Sequence, residues 1–513
     1  MKGGVLMEKT EKKRTAASAL KAFFLDESNF RLLFIMSMFF ASLCVVRTWF
    51  YFAAGILSVW AAVLFVWKFC FGHRMRYVHN RRLIFLFLGC ALFSCLLHFE
   101  SNVFVNLYYL WFMFVCFFFF YGLHAGRGKN ACRKELAVIF DILIASTTII
   151  MLAGIVLLAI FPRGFKWGGD SFAIHENRFV GILFNANVTA FYAVCAMLFA
   201  NINWAMKLAD GTLSDKRKVF YTVCTVINTL ALFLSDSNDS LLMLIVYLCF
   251  VSFYVLFRGY SSGFGSMLVR LFALVLACIV IAYGLIGTRT IVQTAASRLL
   301  SLGTSSPEAQ IATGVTATDG TVRLEPDVEK RTETTFEHKN TNLDSGRFAI
   351  WRQSAAMFKE NPVFGIGKAN IVDYGKKYIG GLRYDDFHNG LITILIGYGL
   401  VGFNIFMVLS ITIAKSMFKA VFRYRRENRR DGRVLMYLTA FACGYCVYSL
   451  FEIALLADLS YKVVVFWMVL GLAMSYVFAY ERSALLVHRN INRRSHSLYR
   501  ISVYATAMNC NHE

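Results

Sequence analysis

Residues 385–402 read DDFHNGLITILIGYGLVG. Two aspartates close a polar stretch, His388 and Asn389 stand at its edge, and an apolar run starts at Gly390. From there to Ala414 the chain carries no Asp, Glu, Lys or Arg. A helix needs roughly 20 such residues to cross a hydrocarbon layer, so this run reads as a membrane span. An ionisable imidazole at the lip of a membrane helix is a candidate functional position.

Outward from this run the same signature recurs along the chain. The 513 residues are 58% apolar and only 16% charged. Backbone polar groups in lipid must be satisfied internally, so many apolar runs together mean a helix bundle. The expected fold is all-α, a polytopic membrane bundle of about 12 helices. The spans fall at 32–47, 50–71, 83–100, 103–123, 136–161, 179–200, 219–235, 241–257, 271–287, 390–414, 434–451 and 462–480.

The net charge of +22 suggests nucleic acid until its placement is read. Basic residues cluster in alternate short loops: Arg74, Arg76, Arg81 and Arg82, then Arg127, Lys129, Arg133 and Lys134, then Lys207 and Lys216 to Lys218. The stretch from Lys415 to Arg433 is the most basic. This is the positive-inside pattern. It assigns the charge to topology and anionic lipid heads, gives nucleic acid no part as a partner, and puts both termini in the cytoplasm. A basic cytoplasmic N-terminus then covers 1–31, helices one to nine 32–287, an outer loop 288–389, helices ten to twelve 390–480, and a basic cytoplasmic tail 481–513. The first apolar run follows a basic stretch without a small-residue cleavage pattern and reads as an uncleaved span.

All four prolines (Pro162, Pro307, Pro326 and Pro362) fall in segments read as outer, where helix breakers are tolerated. The 13 cysteines lie mostly inside apolar runs, which argues against a disulfide framework. The pair Cys443 and Cys446 reads as helix packing. Within the outer loop, 303–345 is rich in Thr, Ser, Gly, Asp and Glu and reads as a flexible insert. Residues 346–361 carry Phe348, Trp351, Ala355 and Phe358 at helical spacing, an amphipathic helix lying at the membrane surface and stopped by Asn361-Pro362. The glycines of VFGIGKANI after it suggest a tight turn against the bundle.

Four stretches together resemble the O-antigen ligase / O-antigen polymerase family of bacterial membrane glycosyltransferases. They are GRFAIWRQSAAMFKENPVFGIGKANI (346–371), FHNGLITILIGYGLVG (387–402), RFVGILFNANVTAFY (178–192) and the last two spans with FEIALLADLS (451–460) between them. With the matching layout, the likeness covers most of residues 130–480. It implies a glycan donor carried on undecaprenyl diphosphate, transferred at the outer face of the bacterial cytoplasmic membrane to a sugar hydroxyl. The acceptor is a growing glycan or a lipid-anchored sugar, with membrane lipids as surroundings. Neither a cofactor nor a metal is implied. One stretch departs from the family. Where a Ser-Arg pair is expected, LSDSNDSLLML (234–244) has Asn238 in the arginine position, so either another arginine binds the diphosphate or the donor grip differs.

The chemistry asks for a base, a grip on the leaving diphosphate, and exclusion of water. His388 is the candidate base, since a neutral imidazole suits proton abstraction near neutral pH. Arg347 and Arg178 are candidate diphosphate clamps, because guanidinium pairs with phosphate oxygens in bidentate fashion. Arg352 lies on the same helix as Arg347 but on another face. Asn389 neighbours the base. Asn185 and Asn187, a turn or two into the sixth span, either bind sugar hydroxyls or bond neighbouring helices. Glu452 and Asp458 flank the last outer loop and either orient His388 or bind acceptor. Gly397, Gly399 and Gly402 let another helix approach closely. The competing reading is a lipid-linked-glycan transporter or flippase without transfer chemistry. Against it, no internal repeat relates the two halves.

Overall fold

The computed structural model describes residues 16–257, 263–303, 347–379, 387–427 and 429–482. The expected flexible insert lies outside the described residues except for Gly303, and so does the tail beyond Arg482.

In chain order the helices are α1 (Ala16–Phe24), α2 (Glu27–Phe40), α3 (Arg47–Phe71, its last turn a π-helix), α4 (Arg81–Leu97), α5 (Val103–His124) and α6 (Lys129–Ile160). A small antiparallel sheet follows, with strands β1 (Phe165–Trp167), β2 (Asp170–His175) and β3 (Arg178–Gly181). Then come α7 (Ala186–Asp210), α8 (Asp215–Leu234), α9 (Asn238–Phe257), α10 (Phe264–Gly303), α11 (Arg347–Glu360), α12 (Ile371–Ile379), α13 (Gly390–Glu427), α14 (Arg429–Tyr448) and α15 (Tyr461–Arg482).

The fold is an all-α polytopic bundle. Among the described residues, nine helices (α3, α5 to α10, α13 and α15) are long and apolar enough to cross a membrane. Three further helices lie where spans were expected. The first two, α2 with 14 residues and α4 with 17, are short, and α14 opens on Arg429, Arg430 and Asp431 with Arg433 close behind. The centre is built from α15 and α7, whose apolar windows are 89% and 83% buried, whereas α10 has none of its window buried. Side chains such as Phe272 and Val280 on α10 point outward, the expected surface for a helix bordering lipid.

Several boundaries move for physical reasons. The ninth span, expected to end at 287, continues as helix to Gly303, so the first residues of the segment read as loop are helical. The sixth span was expected from 179, but Arg178–Gly181 is a strand and the helix opens at Ala186. The apolar run FVGILF suits a buried strand as well as a helix start. Asn185 is therefore the N-cap of α7, its side chain accepting from the Asn187 N–H, and Asn187 lies in the first turn.

Of the expected apolar stripe of α11, Trp351 and Phe358 pack partly buried against Met357, Ile366 and their neighbours, whereas the other two positions do not. Arg347, Ser354 and Met357 are buried while Phe348 and Ala355 are exposed.

The glycines of α13 receive both a neighbouring helix and a loop: α4 approaches at Gly402, where an added Cβ would lie 3.4 Å from Cys90 Sγ, and at Gly397, whose carbonyl accepts from Ser94 Oγ (3.0 Å), while a loop docks at Gly399. Gly399 has φ 65° and ψ −173°, breaking the helix. The turn Pro362 to Gly367 docks into the break: Ile366 N–H donates to the Ile396 carbonyl (3.1 Å), Gly367 N–H to Gly397 (2.9 Å), Leu400 N–H to Pro362 (2.8 Å) and Val401 N–H to Val363 (3.1 Å). Broken backbone at membrane depth persists where protein satisfies it. A Cβ on Gly399 would lie 2.3 Å from the Val363 carbonyl oxygen, and one on Gly365 2.5 Å from the Gly399 nitrogen. The tight turn expected from VFGIGKANI is thus the strut that anchors the α11–α12 segment to α13.

Candidate functional site

Three arginines from three elements converge on Ser235 to Asp239, the short α8–α9 loop together with the first two residues of α9. Arg178 opens β3, after a tight hairpin in which Glu176 and Asn177 have φ 50° and 59°, the left-handed pair of a type I′ turn. The sheet is held to α6 by a glycine contact, since a Cβ on Gly154 would lie 2.8 Å from the Gly181 Cα. From that position Arg178 donates through Nε to the Ser235 carbonyl (3.0 Å) and through Nη2 to Asn187 Oδ1 (2.5 Å). Arg289 of α10 donates to Asn238 Oδ1 (2.8 Å) and lies 3.3 Å from Asp236. Arg347, first residue of α11, makes a two-pronged pair with Asp239 at 2.7 and 2.6 Å.

Glu452 links this segment to the histidine. It lies between α14 and α15 and is buried. Lys462 Nζ is 3.2 Å from its Oε2, while its Oε1 accepts from Asn187 Nδ2 (3.2 Å) and stands 3.7 Å from Arg347. His388 Nδ1 is 3.9 Å from the same Oε1. That is ion-pair range; a hydrogen bond needs an approach of about 1 Å, and such contacts often tighten only with substrate present.

His388 is placed by neighbours on both sides. Phe387 is buried with Met357, Ile366, Ile371 and Ile396, and its carbonyl accepts from Trp351 Nε1 (2.9 Å). Asn389 caps α13, accepting from the Leu391 and Ile392 N–H groups and donating to the Leu450 carbonyl (2.9 Å). Gly390 N–H donates to Ser449 (2.8 Å). These bonds give Asn389 a tethering role. His388 itself adopts φ 46°, a left-handed conformation costly for most residues and associated with functional sites. Its side chain is 25% exposed, against 9% for Glu452 and 11% for Arg347, so the imidazole is the reachable member of this trio.

The electrostatics are those of a packed ion cluster. Burial pushes the Glu452 carboxyl up, but Lys462, His388 and Arg347 more than offset it and hold it below the usual glutamate value. Burial would lower Arg347, yet the bonded Asp239 and nearby Glu452 raise it above an ordinary arginine. Arg178 is lowered, because burial outweighs Asp236, Asp239, Glu176 and Glu452. Guanidinium groups remain charged throughout. Among the described residues, Arg178, Arg289, Arg347 and Lys462 face Asp236, Asp239 and Glu452, with Glu176 also acting on Arg178.

Of the residues chosen from sequence, His388, Arg347, Arg178, Asn187 and Glu452 come together here. Asn185 contributes as helix cap, and Arg352 is exposed, away from the cluster. Sequence reasoning missed Asp236, Asp239, Arg289 and Lys462 as cluster members. Their signal was present: each is an ionisable group at the edge of an apolar run, and such groups are functional candidates by default. Asp141, lower in α6, pairs with Lys207 (3.1 Å) and accepts from Tyr221 (2.6 Å), a structural knot distant from the cluster in the chain.

Residues 223–407 match the family model described as O-antigen ligase. No curated protein matches the chain. The matched region includes residues 235–239, Arg289, Arg347 and His388; Arg178, Glu452 and Lys462 lie outside it.

Proposed function

We propose that this chain, which carries an O-antigen ligase domain over residues 223–407, transfers a glycan from undecaprenyl diphosphate to a sugar hydroxyl at the outer face of the bacterial cytoplasmic membrane. The observation that carries the proposal is the junction of an accessible imidazole with buried arginines, His388 to Glu452 to Arg347. In the proposed reaction the acceptor hydroxyl attacks the anomeric carbon and the bond from that carbon to the diphosphate oxygen breaks. His388 takes the hydroxyl proton, and undecaprenyl diphosphate leaves with the bonding electron pair.

Glu452 is the orienting group for the imidazole, as carboxylates are for histidine bases elsewhere. Arg178, Arg289 and Arg347 are the donors for the departing diphosphate, since charge that develops in the transition state is best met by fixed donors. In the resting protein their forks are held by Asp236, Asp239 and Asn187. Donor binding then exchanges carboxylate partners for phosphate, and pre-positioning by the acids keeps the arginines ordered. A ligase and a polymerase share this donor chemistry and differ in the acceptor.

The test is transfer in nanodiscs with a defined undecaprenyl-diphosphate-linked oligosaccharide and a sugar acceptor, with products read by mass spectrometry. Wild-type protein should elongate or cap the acceptor, and His388→Ala should leave donor and acceptor unchanged. Undiminished product from His388→Ala would remove the histidine from the chemistry. Donor movement across the bilayer without any product would favour a flippase.

A further inference from the structure

A second polar site lies at the other end of the bundle. Lys462 of α15 contacts Glu452 in the candidate site, whereas Ser475, Phe478 and Arg482 of the same helix line a cleft of about 480 Å³. Twenty helical residues separate Lys462 from Arg482, roughly 30 Å. The cleft is closed by the loop before α4 and by the loop between α5 and α6.

Four lining residues present buried polar atoms with no hydrogen-bond partner among the described residues: His79 Nε2, Asn80 Nδ2, His124 Nδ1 and Arg127 Nη1. Buried polar groups are nearly always paired, so four in one cleft require a reason. His124 is 95% buried, being only 5% exposed. Its Nε2 accepts the His79 backbone N–H (3.3 Å), which leaves the hydrogen of the neutral ring on Nδ1, a donor. Asn80 Nδ2 and Arg127 Nη1 are donors too. Phe478 holds both imidazole rings, at centroid distances of 5.2 and 5.1 Å.

Arg76, Arg127, Lys129 and Arg482 line the cleft, and among the described residues no Asp or Glu does, although Lys129 is paired with Asp431 and Arg127 with Glu135 behind the lining. Arg127 is pre-positioned, because its Nη2 is 2.6 Å from Glu135, which Arg31 grips from the other side at 2.6 Å. The N-terminus of α6 opens on the cleft at Gly128 and Lys129 without a side-chain cap, and such a terminus favours anions.

We infer that this cleft binds a phosphate group, supplied either by the headgroup of an anionic bilayer lipid or by a soluble phosphate compound. Its volume suits a headgroup-sized ligand. Donors without acceptors fit phosphate oxygens, and the site is independent of the glycan chemistry proposed above.

The test variant is Asn80→Asp. Asn80 has φ 54°, which Asp also tolerates, so the backbone is kept while a donor becomes an anion. Full-length protein in neutral detergent is titrated with inorganic phosphate, with sodium chloride of equal ionic strength as control, and thermal unfolding is followed. In parallel, protein from nanodiscs of phosphatidylcholine with or without phosphatidylglycerol is examined by native mass spectrometry for retained lipid. A saturable rise in unfolding temperature with phosphate identifies the soluble source, and retained phosphatidylglycerol the lipid source. Either signal should fall by roughly tenfold or more in affinity in Asn80→Asp, and weaken in the surface variant Arg482→Gln, which keeps the fold. Absence of both signals in the wild type would overturn the inference, as would unchanged binding by both variants.

Discussion

Arg289 Nη1 lies 2.8 Å from Asn238 Oδ1. The sequence has asparagine where an arginine was sought, and the structure brings an arginine to that asparagine from α10. Arg289 is 5% exposed and also faces Asp236. A guanidinium therefore stands beside position 238, supplied from another helix. Arg289→Asn is expected to lower transfer by at least tenfold, within the range for loss of one transition-state donor. Combining it with Asn238→Arg should recover much of that loss. Product formation measured for the single variants and the swap checks the pairing, and a swap no better than Arg289→Asn alone would refute it.

Glu452 carries a stability prediction with a definite sign. Its folded-state pKa is below the ordinary value because Lys462, His388 and Arg347 outweigh burial. A depressed carboxyl stabilises the fold above its unfolded pKa and loses that contribution as pH falls through the folded one. Wild-type protein should therefore lose stability on acidification from about pH 5 downward. Glu452→Gln should be less stable at neutral pH by about 3–5 kcal/mol, because it leaves buried cations without their carboxylate, and should show a shallower acid dependence. Unfolding followed in detergent between neutral and acid pH gives both numbers.

Two arginines on one helix separate the cluster from its surroundings. Arg347 is buried against Asp239 and Arg352 is exposed on α11. Arg347→Ala leaves Asp239 buried without its partner, which is expected to cost both stability and at least tenfold in transfer. Arg352→Ala is expected to leave transfer within about twofold and stability within about 0.5 kcal/mol. Equal losses for the two variants would show that the helix acts through its general charge.

Much of this arrangement is visible in the sequence. The imidazole at the start of an uncharged run, the helix after the long insert, and Glu452 between the last two helices all follow from where polar residues interrupt apolar ones. The partners do not. Arg347 and Asp239 are 108 residues apart and Arg178 and Ser235 are 57 apart, and no periodicity encodes such pairings. Periodicity finds half of the packed face of α11, since Trp351 and Phe358 pack inward, but it gives no sign that Arg347 is buried while Phe348 and Ala355 are exposed. The strand at Arg178–Gly181 escapes for a related reason: short apolar runs have no period that separates strand from helix.

The break in α13 supplies the last prediction. Gly399 combines φ 65° with ψ −173°, a region open essentially to glycine alone, and strain of this kind costs on the order of 1–3 kcal/mol for other residues. A Cβ there would also press to 2.3 Å from the Val363 carbonyl oxygen. Gly399→Ala must then expel the Pro362–Gly367 turn or straighten the helix. Either response frees the Leu400 and Val401 N–H groups now bonded to that turn, and moves the α11 segment whose Trp351 holds the Phe387 carbonyl beside His388. The substitution is expected to reduce transfer severalfold or more although Gly399 touches none of the charged cluster. By contrast Gly55, whose added Cβ would meet nothing within 4 Å, should accept alanine with full activity. Comparing the two variants for folded yield, unfolding temperature and transfer separates a positional requirement from a general intolerance of substituted helix glycines, and full activity in Gly399→Ala would show that the docked turn does not govern the histidine.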